Sequence, residues 1–175
     1  MDYIKGNSVI DCMLNNMQEV TKYIEKMVDL QIEINKKIVE LPFSFKEIIR
    51  NRIEANTMLN PAQQKNILER LAKLPTGKNL CHGDFHGYNI LNSNDQYYVI
   101  DWTNASYGEP NADVCRTYLI YLLQAPEIAD KYLAIYCEKT GKSKDEITVW
   151  LPVLAAARLI ENIEGEEEKL KSIIL

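Results

Sequence analysis

Apolar residues recur at helical spacing along the first part of the chain. Val9, Ile10, Met13, Leu14 and Met17 fall on one helical face, and Ser8-Val9-Ile10-Asp11 reads as the capping box that opens it. Val20, Tyr23, Ile24, Met27, Leu30 and Ile34 continue the spacing until Pro42 marks a break. Phe45, Ile48, Ile49 and Ile53 predict a further helix. Asn60-Pro61 supplies a cap and a first-turn proline for the next one, with Ile67, Leu68 and Leu71 on its inner face. Pro75-Thr76-Gly77 ends this helical half.

From Asn79 the pattern shortens. Asn79-Leu80-Cys81, Asn89-Ile90-Leu91 and Tyr97-Tyr98-Val99-Ile100 predict strands, the last two joined as a hairpin by Asn92-Ser93-Asn94-Asp95. Helical spacing then returns in Val114, Tyr118, Leu119 and Leu122, and again in Ile128, Tyr132, Leu133 and Tyr136. Gly141 suits a C-terminal cap, Ser143-Lys144-Asp145-Glu146 a capping box, and Pro152 a break or restart. Glu166-Glu167-Glu168 reads as a solvated helix face. Trp102 and Trp150 read as core, and Arg158, on an apolar stretch, as one half of a buried ion pair with Glu161 or a motif carboxylate. The expected fold class is therefore α+β and mainly helical: helices, a small β-hairpin with loops, then helices.

Composition narrows the setting. The chain has 175 residues and a formal charge of -5, with 46% hydrophobic and 26% charged residues. That fits one domain, or one lobe of a larger unit. The longest apolar run, Val149 to Ala157, contains Pro152 and falls well short of the ~20 residues a membrane span needs. No membrane partner is expected, and the net acidity argues against nucleic acid. The first residues show no apolar h-region with a small-residue cleavage site, so export is not expected. Cys12, Cys81, Cys115 and Cys137 form no CxxC pair and have mostly apolar neighbours, which predicts buried thiols in a reducing cytoplasm.

The chemistry is concentrated in one stretch. The only two histidines, His82 and His86, lie in His82-Gly83-Asp84-Phe85-His86-Gly87-Tyr88-Asn89, between two expected strands. Val99-Ile100-Asp101-Trp102 puts another carboxylate at a strand end, and Asp113 opens a helix. A carboxylate on a tight loop can orient a hydroxyl and take its proton. An amide oxygen and a second carboxylate offer hard oxygen ligands, which suit a Mg²⁺ ion completed by substrate phosphates. These are the working parts of phosphoryl transfer from a nucleotide. Singly, each residue has a plainer reading: Asn89 as an Asx-turn, Asp101 as a turn or helix cap, Asp113 as an N-cap. A two-metal hydrolase built on His82, Asp84, His86 and Asp101 is a third reading, weakened by the lack of further imidazoles.

Taken together, HGDFHGYNIL, VIDW and GEPNAD resemble the catalytic core of the aminoglycoside phosphotransferase and choline kinase-like group, which shares the protein-kinase fold. The resemblance implies that Asp84 is the catalytic base, braced by His82. It implies that Asn89 and Asp101 hold Mg²⁺, with Asn89 beside the nucleotide, and that Asp113 and His86 support the loop. Its cofactors would be Mg²⁺ and ATP or another nucleoside triphosphate, and its partner a small hydroxyl acceptor. The C-terminal helices would wall that acceptor. Glu161, Glu164 and Glu166 on them would suit a cationic one, with Glu109 a weaker contributor. Residues 82–113 would be the catalytic and metal-binding core. Residues 1–6 would be the hinge, with Met1, Tyr3 and Ile4 against the adenine. Gly87-Tyr88 stands where the family often has Pro-Gly, which implies a looser loop and a place for Tyr88 on the substrate side.

The resemblance covers the family's C-terminal lobe. No glycine-rich loop and no V-A-I-K-like strand lysine can be placed, so the β-rich N-terminal lobe is expected to be absent from this sequence. Weak nucleotide binding by the chain alone would follow. Such a chain would self-associate, join a separate N-lobe chain, or serve as a non-catalytic interaction module.

Overall fold

In a computed structural model, residues 4–174 are described. Met1 and Tyr3, expected at the hinge, lie outside the described residues; Ile4 lies inside them, half-buried, on the segment leading into the first strand. Nine helices are described: α1 Val9–Asn15, α2 Val20–Asn35, α3 Phe45–Glu54, α4 Pro61–Lys73, α5 Pro110–Gln124, α6 Pro126–Thr140, α7 Lys144–Thr148, α8 Leu151–Leu159 and α9 Glu167–Ile174. Five short strands, β1 Asn7–Ser8, β2 Asn79–Cys81, β3 Ile90–Ser93, β4 Gln96–Val99 and β5 Ser106–Gly108, form two antiparallel sheets in the orders β1-β3-β4 and β2-β5.

The capping residues act as their chemistry dictates. Ser44, Asn60 and Ser143 each complete a reciprocal capping box, with Glu47, Gln63 and Glu146. Ser8 Oγ accepts from the Asp11 backbone N–H at 3.0 Å. Gly141 ends α6 in the left-handed region at φ 72°, where glycine meets no Cβ penalty.

The core centres on α5. Its interior from Asn111 to Tyr121 is buried, and it packs against α6, α7 and α8. Helices α3 and α4 cover α8, while Trp150 at the start of α8 is fully buried, as expected for core. No helix among the described residues is long and apolar enough to cross a membrane.

Several expectations need correction. Helix α1 stops at Asn15, where Asn16 leaves helical geometry at φ -142°, so Met17 loses the shared inner face and is 71% exposed; Leu14, still within α1, faces away from the buried Val9 and Met13 and is 66% exposed. The hairpin turn is tighter than read: only Asn94 and Asp95 connect Ser93 to Gln96, both with positive φ, the two-residue geometry that matches strand twist. Strands β1 and β5 carry no alternating signal in the sequence. Trp102 is not core; it is 39% exposed and lies 4.7 Å, ring to ring, from His82. Cys81 and Cys115 are buried, but Cys12 and Cys137 are only partly so.

Gly83 shows a local necessity. Its φ is +78°, and an added Cβ would overlap the Asn104 carbonyl. Gly83→Ala is expected to destabilise the fold by roughly 1–3 kcal/mol, measured by denaturant unfolding, because it combines left-handed strain with a backbone clash.

Candidate active site

The loop after β2 is held from below by one carboxylate. Asp113, in the first turn of α5, is 1% exposed. Its Oδ2 accepts from Gln31 Nε2 at 3.1 Å, Asn35 Nδ2 at 3.1 Å and the His82 backbone N–H at 3.2 Å. Its Oδ1 accepts from the Gly83 N–H at 2.8 Å. The cap position itself is Glu109, so Asp113 is not the N-cap of α5. Gln31 and Asn35 are buried polar residues on α2 that the apolar pattern did not single out.

His82 is fully buried and ties the loop to the hairpin. The Asp84 N–H donates to His82 Nδ1 at 3.3 Å, which leaves Nε2–H to donate to the Ile100 carbonyl at 3.0 Å. The Ile100 N–H in turn donates to the Asn89 carbonyl at 3.0 Å. Thus the backbone flanking Asp101 is fastened to the loop that carries Asp84 and Asn89.

Asp84 is half-buried. Its carboxylate lies 3.4 Å from His86 Nε2 and 3.5 Å from an Arg116 Nη, and Asn89 Nδ2 donates to its backbone carbonyl at 2.9 Å. The hydrogen bond from His86 holds the Asp84 carboxyl below the usual carboxylate range. Burial opposes that effect, and the Arg116 guanidinium adds to it. Because the native value is depressed, these contacts stabilise the fold above the unfolded carboxyl's pKa. That contribution disappears as pH falls through the native value. Asp84 is therefore ionised and able to accept a proton at neutral pH.

Asn89 is buried in a 3-10 turn, Gly87–Asn89, that precedes β3. The Gly87 N–H donates to Tyr121 Oη at 2.8 Å, a bond that a proline there could not make. Tyr88 is 58% exposed and lines the cavity beside Asp84. Asp101 adopts φ 58° and ψ 64°, a strained conformation for a side-chain-bearing residue, and its Oδ1 accepts from Thr103 Oγ1 at 2.6 Å.

A cavity of about 310 Å³ opens at Asp84, lined also by His86, Tyr88, Gln124, Arg158 and Glu161 over Ile10, Ile120 and Ile163. Arg116, which the sequence reading did not single out, joins this cavity to the loop. It is 4% exposed, donates from Nε to the Gly83 carbonyl, and reaches both Asp84 and Glu161. Helical spacing placed it inside α5, but nothing local distinguished it from an ordinary surface arginine.

The expected acidic wall is altered. Glu166 is not on a solvated face: it is 5% exposed and receives a bidentate pair from Arg158, at 2.6 and 2.9 Å. Glu161 bonds Arg52 at 2.7 Å and Arg158 at 3.1 Å, and Glu164 is exposed. Glu109 lies on a different cavity, with Ser44, Lys46 and Thr76. Burial pulls the Arg158 pKa down, but the Glu166 hydrogen bonds and the charges of Glu161 and Glu166 outweigh it and leave the value raised. Glu166→Gln is expected to cost roughly 3–5 kcal/mol in denaturant unfolding, since it leaves a buried guanidinium without its full counter-charge.

Among the described residues there is no group of three or more His, Cys, Asp or Glu that could hold a metal. With His82 already bonded at both ring nitrogens, the two-metal hydrolase reading is set aside.

Residues 40–147, more than half of the chain, match the phosphotransferase enzyme family. The chain belongs to that family. No curated protein matches the sequence. Among solved structures, the family resemblance extends to choline kinase LicA from Streptococcus pneumoniae, with 20% identity and a TM-score of 0.62 over 87% of this chain and 58% of that one. It extends to a thermostable mutant of aminoglycoside phosphotransferase APH(4)-Ia in ternary complex with ADP and hygromycin B, with 12% identity and a TM-score of 0.71 over 97% of this chain and 68% of that one. A choline/ethanolamine kinase family protein from Mesorhizobium loti gives 14% identity and a TM-score of 0.62 over 99% of this chain and 68% of that one. At these identities the likeness shows the fold, which is kinase-like, α+β and mainly helical. The chain spans 58% and 64% of the two LicA chains that it matches.

Proposed function

We propose that this phosphotransferase-family chain forms the C-terminal, catalytic lobe of an ATP- and Mg²⁺-dependent O-phosphotransferase acting on a small hydroxylated molecule. The observation that carries the reading is Asp84: an ionised carboxylate at the mouth of a cavity, on a loop whose backbone is fixed by Asp113, His82 and Asn89. An acceptor hydroxyl in the cavity donates to Asp84, which orients its oxygen toward the terminal phosphate and receives its proton as transfer proceeds.

The donor set suits Mg²⁺. The Nδ2 of Asn89 is committed to the Asp84 carbonyl, and among the described residues no donor is bonded to its Oδ1 or to Asp101 Oδ2. Two hard oxygens from the protein leave the rest of an octahedral shell to phosphate oxygens and water. Bound there, the ion would neutralise charge on the transferring phosphoryl group. Ile4, with Met1 and Tyr3 of the 1–6 segment, would border the adenine, and residues 82–113 would form the reacting core.

The test is transfer of labelled γ-phosphate from ATP to a pool of small alcohols. Transfer is expected to require divalent metal, and Asn89→Ala is expected to raise the Mg²⁺ concentration it needs. Transfer that persists unchanged after chelation would overturn the proposal.

A further inference from the structure

The charge balance around the Asp84 cavity goes beyond the phosphotransferase reading, on which this inference rests. Three carboxylates and three guanidinium groups form one connected chain. Asp84 lies 3.5 Å from Arg116, which lies 3.3 Å from Glu161. Glu161 bonds Arg52 at 2.7 Å and Arg158 at 3.1 Å, and Arg158 closes on Glu166 at 2.6 Å. The six formal charges cancel. Outside this chain, Glu164 is exposed on the same turn, while the Lys169 ammonium bonds the Leu123 carbonyl next to Gln124, so these two also have opposite signs.

A cationic acceptor entering such a site would lose hydration without meeting an uncompensated carboxylate. Nor, among the described residues, is there an aromatic cage to replace that hydration, the usual device for quaternary ammonium groups. Among the described residues Tyr88 is the one well-exposed ring on the cavity, since Tyr121 is buried with its hydroxyl engaged by the Gly87 N–H. An anionic acceptor would face Asp84 and Glu161. A neutral polyol suits every surface: its hydroxyls can donate to Glu161 and accept from Arg158 and the Gln124 amide, and its carbons can lie over Ile120 and Ile163. The volume, about 310 Å³, is at the small end of ligand sites and fits one ring-sized molecule.

We infer that the acceptor site selects uncharged, ring-sized polyols over amino or carboxylate counterparts. The test measures binding of the full chain, by NMR shift perturbation at Tyr88 and Gln124, to a panel of neutral hexoses, pentoses and cyclitols and to their amino and carboxylate analogues, alongside phosphoryl transfer from Mg-ATP. At least one neutral polyol is expected to bind about tenfold tighter than its charged analogues, the scale of one desolvated charge interaction. Arg52→Gln, which removes one partly exposed cation, is expected to shift that ratio toward the amino analogue by about fivefold or more. Tighter binding of the charged analogues, no binding by any neutral polyol, or an unchanged ratio in Arg52→Gln would each overturn the inference. Neutral binding without phosphoryl transfer would leave the inference standing and sink the phosphotransferase reading. Transfer to a cationic acceptor would do the reverse.

Discussion

Asp84→Asn is expected to lower phosphoryl transfer by about 10²–10⁴-fold, the usual contribution of a positioned acid–base group, with an unfolding midpoint close to that of the parent. The amide keeps the shape of the carboxylate but cannot accept the acceptor's proton. His86 and Arg116 both approach the Asp84 carboxylate at 3.4–3.5 Å, so the exchange disturbs two long, partly solvated contacts rather than a tight buried pair. Assay of coupled ADP release, with thermal melts run in parallel, separates the two effects. Wild-type turnover in this variant would remove Asp84 from the mechanism. The depressed Asp84 pKa adds a pH expectation. The acidic fall in rate lies below the ordinary carboxylate range, and it moves upward in His86→Ala, where the leading cause of the depression is gone.

The second large effect is on stability. Asp113→Ala removes the acceptor of four buried hydrogen bonds: the His82 and Gly83 N–H groups lose their partner, while the Gln31 amide keeps Thr117 and the Asn35 amide keeps the Leu80 carbonyl. Unfolding free energy is expected to fall by roughly 3–5 kcal/mol, the scale of breaking a buried charged network. A simple helix cap would cost only about 1 kcal/mol. Urea unfolding decides between them. A loss near the lower figure would mean that the loop finds other partners and that Asp113 does not fix its geometry.

The sequence carried different parts of this account with different clarity. Capping signals at Ser8, Asn60 and Ser143 are local chemistry, and the helices begin where those signals stand. The loop from His82 to Asn89 was legible because its residue types and spacing are specific even in one sequence. The pairing of β2 with β5 was not, because three-residue strands fixed by register to distant partners leave no periodic trace. The exposure of Met17 was hidden for a similar reason: a single backbone kink at Asn16 ends the phase that its spacing suggested. At the site, the sequence showed carboxylates and one of their counter-ions, Arg158, but not the others. Arg158 was legible as a buried partner of Glu161, but Arg116 and Arg52 come from two other helices, and only tertiary packing reveals that they balance Asp84 and Glu161 and that Arg158 also closes on Glu166. An acidic wall in the sequence thus becomes a neutral network in the fold.

The central claim is that Asn89 and Asp101 hold a divalent ion beside Asp84. Its most direct test is paramagnetic broadening of backbone amide signals by Mn²⁺ with ADP. The account predicts that the amides of Asp84, Asn89 and Asp101 broaden first and together, and that Asp101→Asn removes the effect. Broadening centred elsewhere, with these three amides unaffected, would contradict it.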